Sequence, residues 1–124
     1  MIERIRQHHI SFRNAFAGIR WALQTQPNFR VHIFLSLSAL LLALVLDISA
    51  VEITILVLII VFGLGVEMVN TAIECVTDLV TQEWRMEAKI AKDVAAGMML
   101  LTAIGAVIVA SLIFLPKIYL IMMS

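Results

Sequence analysis

The sequence comprises 124 residues, of which 62% are hydrophobic, and its mean hydropathy is +1.03. An average soluble domain is about 45–50% apolar, so this composition excludes an ordinary soluble domain and predicts a membrane protein. The formal net charge of +0 argues against nucleic acid as a partner. The length leaves room for a single domain over residues 1–124.

The first predicted element is an amphipathic helix within residues 1–27. Phe12 and Phe16 recur at helical spacing and are mixed with arginines such as Arg13. A helix this charged is too polar to span a bilayer but suits the headgroup boundary, with its phenylalanines in the acyl region. Packing against other helices is the alternative. Pro27 predicts a break or a kink at the end of this element.

Three apolar runs follow, and they predict transmembrane helices at residues 30–47, 52–78 and 92–116. The first run is short against the roughly 20 residues of a typical span, and snorkelling of Arg30 would extend it. The second run reaches Glu67 after rising roughly 21 Å, at about 1.5 Å per residue. Glu67 is therefore expected near one edge of the hydrocarbon core, which is about 30 Å thick. Together these elements predict an all-α membrane protein.

Basic residues set the predicted orientation in the membrane. The amino-terminal segment is rich in arginine, and the second connection carries Arg85, Lys89 and Lys92, whereas the first connection carries no basic residue. By the positive-inside rule, the amino terminus and the polar residues that follow Glu67 face the cytoplasm.

Motifs typical of soluble nucleotide-binding enzymes are missing from the sequence. Gly63-Leu64-Gly65 lies inside an apolar run and is no dinucleotide fingerprint, and no glycine-rich loop ends in Lys-Ser or Lys-Thr. Any phosphate binding must therefore be unconventional. His8, His9 and His32 lack the spacing of a metal site and are interpreted as interfacial or packed histidines.

A polar stripe interrupts the second predicted span. Its members, spaced three, four and four residues apart on one face of a helix, are Glu67, Asn70, Glu74 and Asp78. Carboxylates on one stripe repel one another unless a divalent metal or nearby lysines lie among them. One interpretation is therefore a polar helix end that forms ion pairs with Lys89 and Lys92.

The other interpretation of this stripe is a functional site. Ionisable residues at the edge of the apolar zone are costly and tend to mark function. A metal bridging Glu74 and a polyphosphate would supply the missing positive charge, while Glu67 could take a proton from a hydroxyl held at the interface. Lys92 and Asp93 follow in the sequence and complete the constellation.

Two motifs carry a family resemblance. The first runs Glu67-Met-Val-Asn70-Thr-Ala-Ile-Glu74, and the second runs Ala88-Lys-Ile-Ala-Lys92-Asp93-Val-Ala-Ala-Gly97. With Asn28-Phe29-Arg30, they resemble the small integral-membrane prokaryotic diacylglycerol kinase and undecaprenol kinase family over nearly the whole chain. The resemblance implies a homotrimer of three-span subunits in the bacterial inner membrane. It also implies transfer of the γ-phosphoryl group of ATP to a lipid hydroxyl, with Mg²⁺, on the cytoplasmic side.

The resemblance implies roles for individual residues. Glu67 matches the catalytic base, which meets the lipid substrate, and Asn70 matches the polar neighbour that helps to arrange the site. Glu74 matches a ligand of both the metal and the nucleotide. The other residues implied to contact ATP are Glu83, Lys92 and Asp93.

Members of the family differ in a metal ligand and in their lipid substrate, and the sequence bears on both. Gln26 stands where many members have a glutamate that serves as a second metal ligand, so the affinity or number of metal ions is open. Asn70-Thr-Ala-Ile-Glu74 and Asp93-Val-Ala-Ala-Gly97 look more like the undecaprenol kinase branch. Undecaprenol is therefore the predicted substrate, and diacylglycerol is the alternative.

A structural or transport oligomer is a more remote alternative. A transporter would place ionisable groups near the midplane of the membrane, whereas here they lie at one edge. The small residues Thr102, Ala106 and Ala110 recur at helical spacing, which suits close contact between subunits.

Overall fold

The computed structural model describes residues 2–123, with side chains from Ser11 onward. Within this range every regular element is a helix. Its four helices are α1 (Ile2–Thr25), α2 (Pro27–Val45), α3 (Ala50–Val80) and α4 (Met86–Met123). Among the described residues, α2, α3 and α4 are long and apolar enough to cross a membrane. The prediction of an all-α protein with three candidate membrane helices is confirmed.

Helix α1 precedes the three apolar helices. Its described side chains are exposed all round from Ser11 to Trp21, and Ala22 is the first buried one. Met1 and the side chains of residues 2–10 lie outside the described part, and they include part of the predicted amphipathic pattern. The location of α1 at a membrane surface stays a prediction.

The connection between α1 and α2 is a single residue. Gln26 has extended backbone angles, with φ −100° and ψ 108°, and Pro27 occupies the first turn of α2. A proline fits there because the first turn of a helix leaves its backbone N–H groups without intrahelical acceptors. The expected break is therefore present, since one extended residue, Gln26, separates α1 from α2.

The connection between α2 and α3 is a short turn with a defined helix start. Asp47 adopts a positive φ of 49°, a conformation that aspartate tolerates better than most residues. The Ser49 N–H donates to Glu52 Oε2 at 2.8 Å, and the Glu52 N–H donates to Ser49 Oγ at 3.3 Å. This capping box satisfies donors at the start of α3 and fixes where that helix begins.

The apolar core lies at the end of the bundle near this turn. It joins the three membrane helices through Ala43 of α2, Leu56 of α3, and Ile113 and Phe114 of α4. At about 1.5 Å per residue, Glu67 lies roughly 16 Å further along α3 than Leu56. The helices thus pack on an apolar core at one end, while the polar stripe lies toward the other end.

Helix α4 continues beyond the predicted end of the third span. The apolar run predicts a span that ends at residue 116, but Pro116 lies inside a helix that runs to Met123. Proline removes one backbone hydrogen bond and disfavours a helix in water. Within a membrane helix, neighbouring groups and small local adjustments compensate for the loss. The boundaries of the spans themselves stay predictions.

Candidate active site

The polar stripe of α3 passes from a buried end to an exposed end. Glu67 is 3% exposed and Asn70 is 9% exposed, whereas Glu74 is exposed. Asn70 Nδ2 donates to Glu74 Oε1 at 3.3 Å across one helical turn. The helical spacing of these residues thus produces one continuous face, which runs from the buried Glu67 to the exposed Glu74.

Asn70 also carries a buried oxygen that is not used within the chain. Its Oδ1 has no hydrogen-bond partner among the described residues. Leaving a buried polar atom unpaired costs about 1–3 kcal/mol, so such an atom calls for an explanation. A lone pair in this position can accept a hydrogen bond from a ligand or coordinate a cation.

Glu67 has a charged neighbour on the same helix and a titratable neighbour on another helix. It is within electrostatic range of Glu74 and of His32, which lies half-buried on α2. From the sequence, His32 is expected to be interfacial or packed, with no part in the site. A signal was present, because His32 is the only ionisable residue between Arg30 and Asp47, and ionisable residues within apolar runs tend to be functional.

A cavity of about 490 Å³ lies at the connection between α3 and α4. Charged residues of both signs line it, together with the exposed Trp84. Lys92 Nζ donates to Asp78 Oδ1 at 2.5 Å, which ties the two helices together across the cavity. Charged lining residues, besides these two, are Glu83, Arg85, Lys89 and Asp93.

Two local ion pairs complete the charge pattern of this cavity. Lys89 Nζ pairs with Asp93 Oδ2 one turn along α4, and Arg85 Nη2 lies 3.3 Å from Glu83 Oε2. These side chains are all more than half exposed, so the pairs contribute little to stability. They leave charged groups at the surface, where a polar ligand can compete for them.

The predicted site residues therefore fall into two neighbouring groups in one chain. Glu83, Lys92 and Asp93 share the cavity, whereas Glu67 and Asn70 lie on the stripe of α3 outside its lining. Lys92 is within electrostatic range of Glu74, which connects the two groups. Asp78 belongs to both groups, because it ends the stripe and also lines the cavity.

Two side chains of the stripe are of the types that coordinate magnesium in proteins. Among the described residues, no group of three histidine, cysteine or acidic side chains is arranged to hold a metal ion. Magnesium, however, is usually bound by one or two carboxylates together with substrate phosphates and water. The Glu74 carboxylate and the unpaired Asn70 Oδ1 fit that pattern. The Gln26 amide donates to Thr25 Oγ1 at 3.5 Å.

These features define a small helical membrane protein whose polar site lies where an apolar helix becomes charged. Residues 13–114 match the family described as prokaryotic diacylglycerol kinase. The matched range covers most of the chain and includes every candidate site residue, so the chain belongs to that family. The predicted family is thereby confirmed, and it is a family of membrane lipid kinases.

Two relatives are similar over most of this chain. The chain is 43% identical over 108 residues to a diacylglycerol kinase from Synechocystis sp., and the match covers 86% of this chain but 62% of the relative. It is 37% identical over 107 residues to an undecaprenol kinase from Bacillus subtilis, covering 86% of this chain and 87% of the relative. The chain thus spans about three fifths of the Synechocystis protein and most of the Bacillus protein.

Proposed function

We propose that this protein is an ATP-dependent lipid kinase that transfers the γ-phosphoryl group to the hydroxyl of a membrane lipid, with undecaprenol as the preferred substrate. One observation carries the proposal. The buried Glu67 shares a helical face with Asn70 and Glu74, and that face leads from the apolar interior to a cavity lined by charge. A lipid hydroxyl and a nucleotide can therefore meet along one helix.

In the proposed reaction, Glu67 is the general base. The hydroxyl oxygen of the lipid attacks the γ-phosphorus, and the bond from that phosphorus to the oxygen bridging the β-phosphate breaks. ADP leaves with the electron pair of the broken bond, and the hydroxyl proton passes to the Glu67 carboxylate. General base catalysis of this kind contributes about 10²–10⁴-fold. The rest of a phosphoryl transfer depends on positioning and on stabilisation of charge.

The cavity between α3 and α4 is the proposed nucleotide site. Its volume of about 490 Å³ lies within the range of roughly 300–1,000 Å³ that is typical of ligand sites. Lys92 is available to bind phosphate oxygens when they replace the Asp78 carboxylate as its partner. Glu83 and Asp93 provide acceptors for hydroxyl or amino groups of the nucleotide.

Magnesium is the proposed cofactor. Glu74 and Asn70 Oδ1 would hold the ion together with the phosphates of ATP. Bound there, magnesium would neutralise charge on the phosphoryl group being transferred. Asn70 has a second role, because its amide N–H already orients the Glu74 carboxylate through the 3.3 Å hydrogen bond.

The proposed assembly is a homotrimer in the bacterial inner membrane, with its site on the cytoplasmic side. Two observations support assembly. Large apolar side chains are exposed beside the polar stripe, as at Val69 and Val76, and the ligands for magnesium are few in the described part of one chain. A site between subunits would supply further ligands. Chemical cross-linking or native mass measurement that found a fully active monomer would contradict the trimer.

Diacylglycerol is the second candidate substrate. The Synechocystis relative with 43% identity bears the name diacylglycerol kinase, whereas the Bacillus relative, aligned over 87% of its own length, bears the name undecaprenol kinase. The test is a transfer assay with labelled ATP against each lipid in defined mixed micelles. The proposal expects label in both lipids and a higher kcat/KM for undecaprenol. Absence of label from every lipid alcohol would overturn it.

A further inference from the structure

Glu67 is buried, and a buried base needs a route for the proton that it accepts. Its side chain is only 3% exposed, so water has little access to the carboxyl. In the proposed reaction, the carboxylate takes one proton from the lipid hydroxyl in each turnover. The carboxyl must pass this proton on before it can act as a base again. A neighbouring group that accepts the proton would therefore help to complete each cycle.

Two titratable side chains of the described part of the chain lie within electrostatic range of Glu67, namely Glu74 on α3 and His32 on α2. Glu74 is the proposed magnesium ligand, and a carboxylate beside a cation is a poor proton acceptor, because the cation favours its charged form. His32 has no other role in the proposed mechanism. Imidazole accepts and releases protons readily near neutral pH. Of the two neighbours, His32 is thus the better proton acceptor.

The cavity between α2, α3 and α4 places His32 opposite the helical face that carries Glu67. His32 lines this cavity of about 310 Å³ together with Gly63 and Leu64 of α3. Gly63 and Leu64 precede Glu67 by four and three positions, so they lie on the same face of α3 as Glu67. The His32 imidazole therefore faces α3 about one helical turn from the proposed base.

His32 also has the access to water that Glu67 lacks. Its side chain is half-buried, whereas that of Glu67 is buried. His32 follows Pro27, the first residue of α2, by five positions, which is a rise of roughly 8 Å at about 1.5 Å per residue. The exposed Arg30 lies between His32 and this end of the helix. A proton on the imidazole can therefore leave toward the beginning of α2.

We propose that His32 accepts from Glu67 the proton that the lipid hydroxyl loses, and releases it to water at the beginning of α2. This inference rests on the proposed function and adds a second proton transfer to it. The protonated Glu67 carboxyl gives its proton to the free ring nitrogen of neutral His32, along a hydrogen bond or through one water molecule. Glu67 becomes a carboxylate again, and His32 becomes an imidazolium, which then gives the proton to water. Because His32 acts through Glu67, it is a positioning residue.

Other charged groups around His32 cannot take over this role. The part of α4 that lines the same cavity, residues 99–110, contains no titratable side chain. Helix α1 contains no charged residue after Arg20. Arg30 is the nearest charged residue on α2, and its guanidinium does not give up a proton in proteins. The acidic groups on the facing side of α3 are Glu67 and, further along, Glu74.

A pair of variants compared across pH tests the inference. His32→Gln keeps a polar side chain but cannot take up a proton, and Ser36→Ala is the matched control, one turn along the same cavity wall. At neutral pH, His32→Gln should lower kcat about 10-fold or more, with both KM values close to those of the wild type. The deficit should shrink as pH rises, because hydroxide increasingly takes the proton instead.

The control and the contradicting results of this comparison are equally specific. Ser36→Ala should keep the kcat of the wild type at every pH. A deficit in His32→Gln that is the same at every pH would assign His32 to packing and overturn the proposal. A kcat equal to that of the wild type would also overturn it.

Chemical rescue separates proton transfer from the filling of space. His32→Ala removes the imidazole and leaves room for a small added base beside the cavity. Added imidazole should restore part of the lost kcat. Pyrazole has nearly the same size and shape but is a far weaker base, so it should restore none. Equal restoration by the two compounds would overturn the proposal.

Nuclear magnetic resonance of ¹³C-labelled histidine in the full-length protein gives a measurement that needs no turnover. His32→Gln identifies the His32 signals by their loss. The pH midpoint of their titration should differ between the wild type and Glu67→Gln, and it should stay unchanged in Ser36→Ala. An identical midpoint in the wild type and Glu67→Gln would overturn the proposal. Failure of the proposed function would instead appear as the absence of labelled lipid with the wild type, an assay on which this titration does not depend.

Discussion

Lys92 Nζ lies 2.5 Å from Asp78 Oδ1, and this ion pair joins the end of α3 to the beginning of α4 at the wall of the charged cavity. The side chain of Lys92 is 40% exposed and that of Asp78 is 57% exposed. Ion pairs in contact with water contribute little to stability. The pair therefore contributes little to the stability of the fold, and in the proposed mechanism Lys92 exchanges Asp78 for a phosphate.

Substitutions at the two partners should have unequal effects. Lys92→Met should raise the KM for ATP about 10-fold or more, because it removes a charge-assisted contact to phosphate. Asp78→Asn should change that KM much less, since the lysine remains and loses only a competing partner. Steady-state kinetics and thermal unfolding of both variants check this. Equal losses of ATP affinity in the two variants would assign the pair a structural role.

Glu74 should control the response to magnesium. Glu74→Gln removes one of the few anionic oxygens near the proposed ion, so the magnesium concentration for half-maximal turnover should rise about 10-fold or more. Gln26→Glu should preserve activity or tighten metal binding, because it restores a carboxylate where many family members have one. A magnesium dependence of Glu74→Gln equal to that of the wild type would remove Glu74 from the metal site.

The unpaired oxygen of Asn70 predicts a difference between stability and activity. Asn70→Ala removes a buried polar atom that has no partner among the described residues, so the free energy of unfolding should change by no more than about 1–3 kcal/mol. Turnover should fall by a larger factor than this small change in stability can explain, because the variant no longer orients the Glu74 carboxylate.

The matched control for that variant is Thr71→Val. Thr71 is also buried, and the substitution removes a hydroxyl next to the stripe. Its turnover should stay close to that of the wild type once the protein is assembled. A comparable loss of turnover in both variants would mean that general packing in this region, and not the Asn70 amide, is what turnover requires.

The parts of the structure that depend on local sequence could be predicted. The apolar runs indicate three membrane helices, because helix length must match membrane thickness. The spacing of Glu67, Asn70 and Glu74 defines one helical face, and the hydrogen bond between Asn70 and Glu74 follows that face. Pro116 did not allow the end of α4 to be predicted, because the cost of proline in a helix depends on whether water or neighbouring helices surround it.

Contacts between helices could not be predicted in the same way. Lys92 and Asp78 are 14 residues apart and meet only because of the path taken by the intervening connection. The proximity of His32 to Glu67 depends on how α2 packs against α3. Periodicity describes the face of one helix and does not determine which residues of two helices meet. The small residues of α4 depend on the same packing, because Thr102 and Ala106 face α2 and α3 of the same chain, whereas their spacing alone predicts contact between subunits.

The proposed general base is tested most directly by one purified variant. Glu67→Gln keeps the shape of the side chain and much of its capacity for hydrogen bonding, but it removes the carboxylate that accepts the proton. Turnover with the lipid alcohol should fall by about 10²–10⁴-fold, while ATP binding, measured by titration on the same assembled protein, stays close to that of the wild type. Near-normal turnover in Glu67→Gln would contradict the account and remove Glu67 from the mechanism.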